Sequence, residues 1–345
     1  MRLTRDLRLV AVLAAGIVAA SLQAADSAQF SVTTLPLPGA GPAGISMDYL
    51  GYDPGTNAVW VPAGNTGSVD VVDAATKKVT QISGFPAGEM GTGNRKRIVG
   101  PSSVTFGKGT AYIGDRFDSS VTALDTRTHA RGASVKLDSM PDGLAYVAST
   151  GEVWVTTPRD KTIRILDAGT LAQKEKLTFD GNPEGFAVDL TRGRFYTNME
   201  DKDLTLAIDI KSRKTVATWK PACGEDGPHG LRIEEKDGYL LVACSAKTEV
   251  LDAGHAGAVL SSVDTGDGAD DLDYAPATRM VYVGAAKAGE LTAARLDNAG
   301  KLSVVAKVPT RAGDRNGVVA KDGTVFLGHS GLAKLSDLSV VTPKK

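Results

Sequence analysis

Short apolar triplets with an aromatic residue at the centre recur along the chain. They are Val59-Trp60-Val61, Ala111-Tyr112-Ile113, Val153-Trp154-Val155, Phe195-Tyr196-Thr197, Val281-Tyr282-Val283 and Val325-Phe326-Leu327, with Leu240-Leu241-Val242 as a non-aromatic version. From centre to centre the steps are 52, 42, 42, 45, 41 and 44 residues. Two other markers keep the same beat. Ahead of each triplet stands a Gly/Pro phrase, best seen in Gly181-Asn182-Pro183-Glu184-Gly185-Phe186. Behind six of them an aspartate closes an apolar stretch, at Asp73, Asp125, Asp167, Asp209, Asp252 and Asp297. A period of about 40–45 residues is that of a four-stranded propeller blade and too long for a leucine-rich or ankyrin unit. The pattern therefore predicts an all-β, seven-bladed β-propeller of four-stranded antiparallel blades.

Within a blade, the innermost strand A follows the Gly/Pro phrase, B carries the triplet, C ends at the aspartate and D follows. In blade four this predicts strands over residues 185–189, 194–198, 204–209 and 214–219. The aspartates read as turn residues, because Asp accepts from amides two residues on. Residues 29–35 form a strand with no blade of their own, and the last repeat is short. Residues 30–34 are thus expected to complete the blade that begins at Gly317, removing the exposed edge that an open ring would carry. The longest connection, residues 84–100, is glycine-rich before Arg95-Lys96-Arg97 and reads as a loop without regular pattern over the channel mouth.

Residues 1–25 have Arg2, Arg5 and Arg8 ahead of an apolar run of 12 residues from Leu9 to Ala20, then Ala24 and Ala25, the form of a secretory signal peptide. The run is too short to span a bilayer, and no other candidate span follows. Residues 26–345 then form one domain, exported to a periplasm or secreted, and expected to be monomeric. Removal of the leader leaves 36 basic and 39 acidic residues, a near balance without a basic stripe, so nucleic acid is not expected as a partner.

Equivalent turns in seven blades converge on one channel. The residues after the prolines, or in their place, predict a ring of Ala43, Ser102, Asp142, Glu184, His229, Asp270 and Asn316. Asp, Asn and Ser suit such turns on their own account; Glu184 and His229 have no special preference there. Carboxylates brought together must take up protons, find cations or stay apart in water. Asp142, Glu184, His229 and Asp270 are accordingly the candidate metal ligands. Ca²⁺, Mg²⁺ or Mn²⁺ suits a carboxylate-dominated set, and Zn²⁺ one in which His229 joins two carboxylates. Ser102, Asp271, Asn316, Arg97 and Arg315 are candidate ligand-binding residues on the same face. His129 and His255 fall in C-to-D connections and read as surface residues, while His329 ends a B strand and can approach the ring from the side. Cys223 and Cys244, before strand A and at the end of strand B of blade five, are placed to form a disulfide. No Gly-x-Ser-x-Gly, HExxH or phosphate-cradling loop is present, and no organic cofactor is expected.

Pro141-Asp142-Gly143-Leu144, Val153-Trp154-Val155 and Ile165-Leu166-Asp167 resemble the repeat of the YVTN or YncE-like family of exported seven-bladed propellers. That resemblance implies a binding or scaffold protein whose partner is a small molecule or another periplasmic protein. The polar ring is more distantly similar to the SMP-30, gluconolactonase and paraoxonase group, which implies a divalent ion and lactone hydrolysis, with Ala43 in place of that group's first-blade glutamate. Through His229 it is similar to virginiamycin B lyase-like propellers, which use a channel histidine and Mg²⁺. In either enzyme case His229 and Asp270 are the candidate catalytic residues.

Overall fold

The computed structural model describes residues 27–93, 96–330 and 333–344. The leader at residues 1–25 and Arg95 lie outside the described residues. The chain forms seven four-stranded antiparallel sheets arranged as the blades of a propeller. Blade four consists of Pro183–Asp189, Arg194–Met199, Leu204–Asp209 and Thr215–Trp219, within a residue or two of the expected spans. Among the described residues no helix is long and apolar enough to cross a membrane.

Closure occurs as the pattern requires. Phe30–Pro36 is the outer strand of blade seven, pairing antiparallel with Asp337–Pro343 from Phe30↔Pro343 to Pro36↔Asp337. The C-to-D aspartates also behave as expected. The Asp73 carboxylate accepts from the N–H of Ala75 and Thr76 and from the Thr76 hydroxyl, and Asp125 and Asp167 repeat the arrangement. These backbone donors hold all three carboxyls below the usual range.

The core lies in the seams between blades. Trp60 packs edge-on against Phe106 of the next blade with centroids 5.8 Å apart, and Trp154 stacks on Phe195 at 4.6 Å. The aromatic centres of the triplets are thus wedges between neighbouring sheets, which is why they recur once per blade. The closing seam holds Val59, Val61 and Val72 of blade one against Val318, Phe326 and Val340 of blade seven. Into that seam points Asp70, which lies opposite Val61 in the ladder, is fully buried, and meets no donor in good hydrogen-bond geometry.

One element was invisible in the sequence. Residues 84–100 contain a short hairpin, Gly88–Met90 paired with Arg97–Val99, instead of lacking regular structure. With three residues per strand, no period-2 pattern can show.

Candidate functional site

In five blades the Gly/Pro phrase or its equivalent is not a turn ahead of strand A, as the sequence suggested, but the bulged beginning of that strand, whereas in blade three Pro141-Asp142-Gly143 stands ahead of strand A, Leu144–Val147, as expected. In blade four the ladder runs Pro183↔Met199 and then Phe186↔Thr197, so one extra residue is accommodated between them. Blades two, five, six and seven carry the same irregularity after Pro101, Pro228, Ala269 and Asp314. A bulge frees one residue from the ladder and re-aims its side chain. The glycines that follow serve close approach between blades: a Cβ on Gly185 would sit 2.0 Å from the His229 carbonyl oxygen, and one on Gly230 would sit 2.4 Å from an Asp271 carboxylate oxygen.

Register then fixes the ring. Pro101, Pro183, Pro228, Ala269 and Asp314 each face the last residue of strand B, so the next residues, Ser102, Glu184, His229, Asp270 and Arg315, are equivalent. In blade one the Gly64 N–H bonds to the Ser46 carbonyl just as Glu200 does to Asn182 and Ala286 to Gly268, which makes Asp48 the equivalent of Glu184 and Asp270. Two expected members are thereby replaced. Ala43 is exposed in the Gly41 to Gly44 turn, and Asp48 supplies the blade-one side chain. Asn316 is one position behind Arg315; it is buried and donates through Nδ2 to Asp48 at 2.9 Å.

Charged groups divide the ring in two. Glu184, His229 and Asp270, from adjacent blades, offer ligand atoms that all lie within 4.8 Å of one another. His229 Nδ1 is 3.2 Å from Glu184 Oε2, and Nε2 is 3.4 Å from the Ser245 hydroxyl. On the other side Arg116 bridges Asp48 (2.5 Å) and Asp142, and Arg315 bridges Asp270 (2.9 Å) and Asp48 (3.6 Å). Asp142, expected among the metal ligands, is thus engaged by Arg116 and is not one of the three converging groups.

Burial pushes Glu184 up to about 8, against the pull of its hydrogen bond to His229. That same bond raises His229, against burial. Asp142 is pushed up to about 6 by burial, with Arg116 opposing. Tyr49, half-buried beside Asp142 with its hydroxyl 3.5 Å from Oδ2, is raised well above the usual phenol range by desolvation and then by the surrounding carboxylates. It also lines a cavity of about 1170 Å³ that is bounded by the A strands and by A-to-B turns such as Pro276 to Thr278.

The other candidates have other surroundings. Asp271 is held by Arg232 at 3.1 Å and by its own Leu272 N–H, so it is turned into the structure. Ser102 is buried with its hydroxyl unpartnered. Arg97 is exposed on the extra hairpin, and no contact described ties it to the ring. His255 is exposed beside Asp252, and His129 lies edge-on to Trp60. His329 is buried, its ring nitrogens 3.3 and 3.1 Å from the Ser330 and Asp337 carbonyls. Cys223 and Cys244 form a disulfide with Cα atoms 5.2 Å apart, and Cys244 faces Pro228, next to His229. Asp48, Tyr49, Arg116 and Ser245 were missed in the sequence because none lies in the repeated phrase.

No known family model matches the chain, and no curated protein matches it. Solved structures do. A chain of the mitotic checkpoint complex is similar at 15% identity over 99% of each chain, with a TM-score of 0.72. The RRP9 WD40 repeats are similar at 11% identity over 93% of this chain and 99% of that one, TM-score 0.72. The virginiamycin B lyase from Staphylococcus aureus is similar at 13% identity over 91% of this chain and 100% of that one, TM-score 0.69. At such identities the likeness extends to the fold: this chain is a seven-bladed β-propeller closed by its N-terminal strand.

Proposed function

We propose that the ring binds a small polar ligand around a divalent cation held by Glu184, His229 and Asp270. The observation that carries this reading is the convergence of three ligand atoms from three successive blades within 4.8 Å. Two carboxylates and one imidazole are a donor set for Mn²⁺ or Zn²⁺, and hydrated Ca²⁺ or Mg²⁺ is accommodated if the carboxylates dominate. The disulfide fits an oxidising compartment, and with residues 1–25 as a cleaved leader the protein acts outside the cytoplasm. Its partner is a small molecule or another exported protein.

A second reading, metal-assisted lactone hydrolysis or elimination, is favoured by the His229–Glu184 pair. One proton held between these groups, beside the carbonyl that a cation would polarise, is the equipment of general acid–base catalysis.

Elemental analysis of protein purified without chelators, followed by a lactone panel, separates the readings. Melting curves test the cation itself. An ion at a hundredfold excess over its Kd stabilises by about 2.7 kcal/mol. Glu184→Ala and Asp270→Ala should each abolish that response while the protein stays folded. Superimposed curves in EDTA and in excess Ca²⁺, Mg²⁺, Mn²⁺ or Zn²⁺ would sink the cation reading.

A further inference from the structure

Asp270 has two claims on it. Its carboxylate belongs to the converging triad, and its Oδ1 also receives Arg315 Nη1 at 2.9 Å. A divalent ion on the triad therefore repels a guanidinium already seated on one of its ligands. The other acid paired with Arg315 is Asp48 at 3.6 Å, and that carboxylate is already taken by Arg116 and by the Asn316 amide; Glu184, which also acts on Arg315, belongs to the triad itself. Arg315 Nε has no hydrogen-bond partner, so the guanidinium keeps an unused donor.

Two further side chains of this half of the ring are unsatisfied. Ser102, 6% exposed, and Asn316, 2% exposed, have an Oγ and an Oδ1 without partners. Ser102 stands at a ring position, and Asn316 holds the ring residue Asp48 through its other amide atom. Buried polar atoms are rarely left so, and these two have hydrogen-bonding capacity to offer to water or to a ligand in this half of the ring.

We infer that Arg315 couples the cation to a second ligand, a small monocarboxylate held between the ion and the guanidinium; this rests on the cation reading above. A guanidinium presents paired N–H donors that match a carboxylate. Charge selects the valence. Asp48, Asp142, Glu184 and Asp270 oppose Arg116 and Arg315, a divalent ion with neutral His229 offsets the remainder, and Glu200 beside Glu184 and His229 leaves one negative charge in excess. A monoanion seated between the ion and the guanidinium adds the least to that excess, whereas a polyphosphate would leave the ring strongly negative beside these carboxylates.

The test is titration of Mn²⁺ into the mature protein by calorimetry, in chloride and in acetate at matched ionic strength, for wild type, Arg315→Gln and Arg315→Lys. Removing the guanidinium should tighten Mn²⁺ alone about tenfold, the effect of a unit charge about 6 Å from a divalent ion even in water-like surroundings. Acetate should tighten Mn²⁺ in the wild type and leave R315Q unchanged. The lysine variant keeps the charge and loses the paired donors, so it should hold Mn²⁺ as the wild type does and lose the acetate effect. Equal Mn²⁺ affinity in wild type and R315Q, or an acetate effect that survives in both variants, overturns the inference while leaving the cation site standing. Absence of Mn²⁺ binding in the wild type in either salt overturns the cation reading and this inference together.

Discussion

Asp70 offers the most direct test of how the propeller is closed. Its carboxyl is fully buried in the seam between the first and last blades, and no donor meets it in good hydrogen-bond geometry, the Gln81 amide opposite it in the ladder being turned to Pro38 and Ser68. Burial raises its pKa from 3.8 to about 6, with the Gln81 amide acting the other way. The folded protein thus holds this proton to higher pH than the unfolded chain does. Stability contributed at this position is greatest below pH about 4, falls as pH rises through about 6, and is constant above. At 1.36 kcal/mol per pH unit, the interval amounts to about 3 kcal/mol. Asp70→Asn keeps the shape and removes the titration. Its buried amide adds an offset of its own, which does not vary with pH, so the slope is the informative quantity. Urea unfolding of both proteins between pH about 3.5 and about 7 should show the difference in stability shifting by about 3 kcal/mol in favour of the variant. Parallel stability curves over that range would refute the reasoning and place Asp70 in contact with water or with a partner.

Replacing Cys223 and Cys244 by Ser should cost about 3 kcal/mol, from the loop of 21 residues that the bond closes; thermal melts of oxidised and reduced protein would read the same loss. Trp154→Ala, which empties the space against Phe195, should cost about 3–5 kcal/mol in denaturant unfolding. Gly185→Ala places a methyl 2.0 Å from the His229 carbonyl oxygen; a loss of about 1–3 kcal/mol together with loss of the metal response is expected, because the Glu184–His229 pair straddles that contact. Deleting residues 27–36 should leave Asp337–Pro343 as an unpaired edge, and light scattering should report association that the complete chain does not show.

The fold was legible because each marker of the repeat has one physical job done once per blade. Trp60, Tyr112, Trp154, Tyr196, Tyr282 and Phe326 are all buried wedges in the seams, so spacing alone counted the blades. Asp73, Asp125 and Asp167 read correctly because a turn aspartate is satisfied by its own neighbours and needs nothing distant. The hairpin of Gly88–Met90 and Arg97–Val99 did not read, since its strands are too short to carry a pattern and it lies on Phe117 rather than in a seam.

The site was legible in part, and the part that failed shows where its information resides. Glu184 and His229 stood out as side chains that turn chemistry does not require, Asp270 was named with them only as a carboxylate of the same ring, and the structure brings these three together. The first blade misled because its Gly/Pro phrase has separated from its bulge. Gly41 to Gly44 forms a turn packed on the Leu335 backbone, and a further stretch of chain precedes Asp48. The aromatic wedge is the better ruler, because strands A and B are joined by a short turn and their ladder fixes the count. Twelve residues separate Asp142 from Trp154, Glu184 from Tyr196, His229 from Leu241 and Asp270 from Tyr282, and the same count back from Trp60 falls on Asp48 rather than Ala43, while in blades two and seven Ser102 and Arg315 stand 10 and 11 residues before Tyr112 and Phe326. Arg116 has no such signature. It follows the end of strand B in blade two, a position filled by Gly64 in blade one and Glu200 in blade four, and reaches the ring only because its side chain is long enough to join Asp48 and Asp142. A blade-one acid is therefore present after all, but committed to Arg116 and Asn316, which leaves the opposite, His229-bearing side of the ring as the one with ligand atoms to offer.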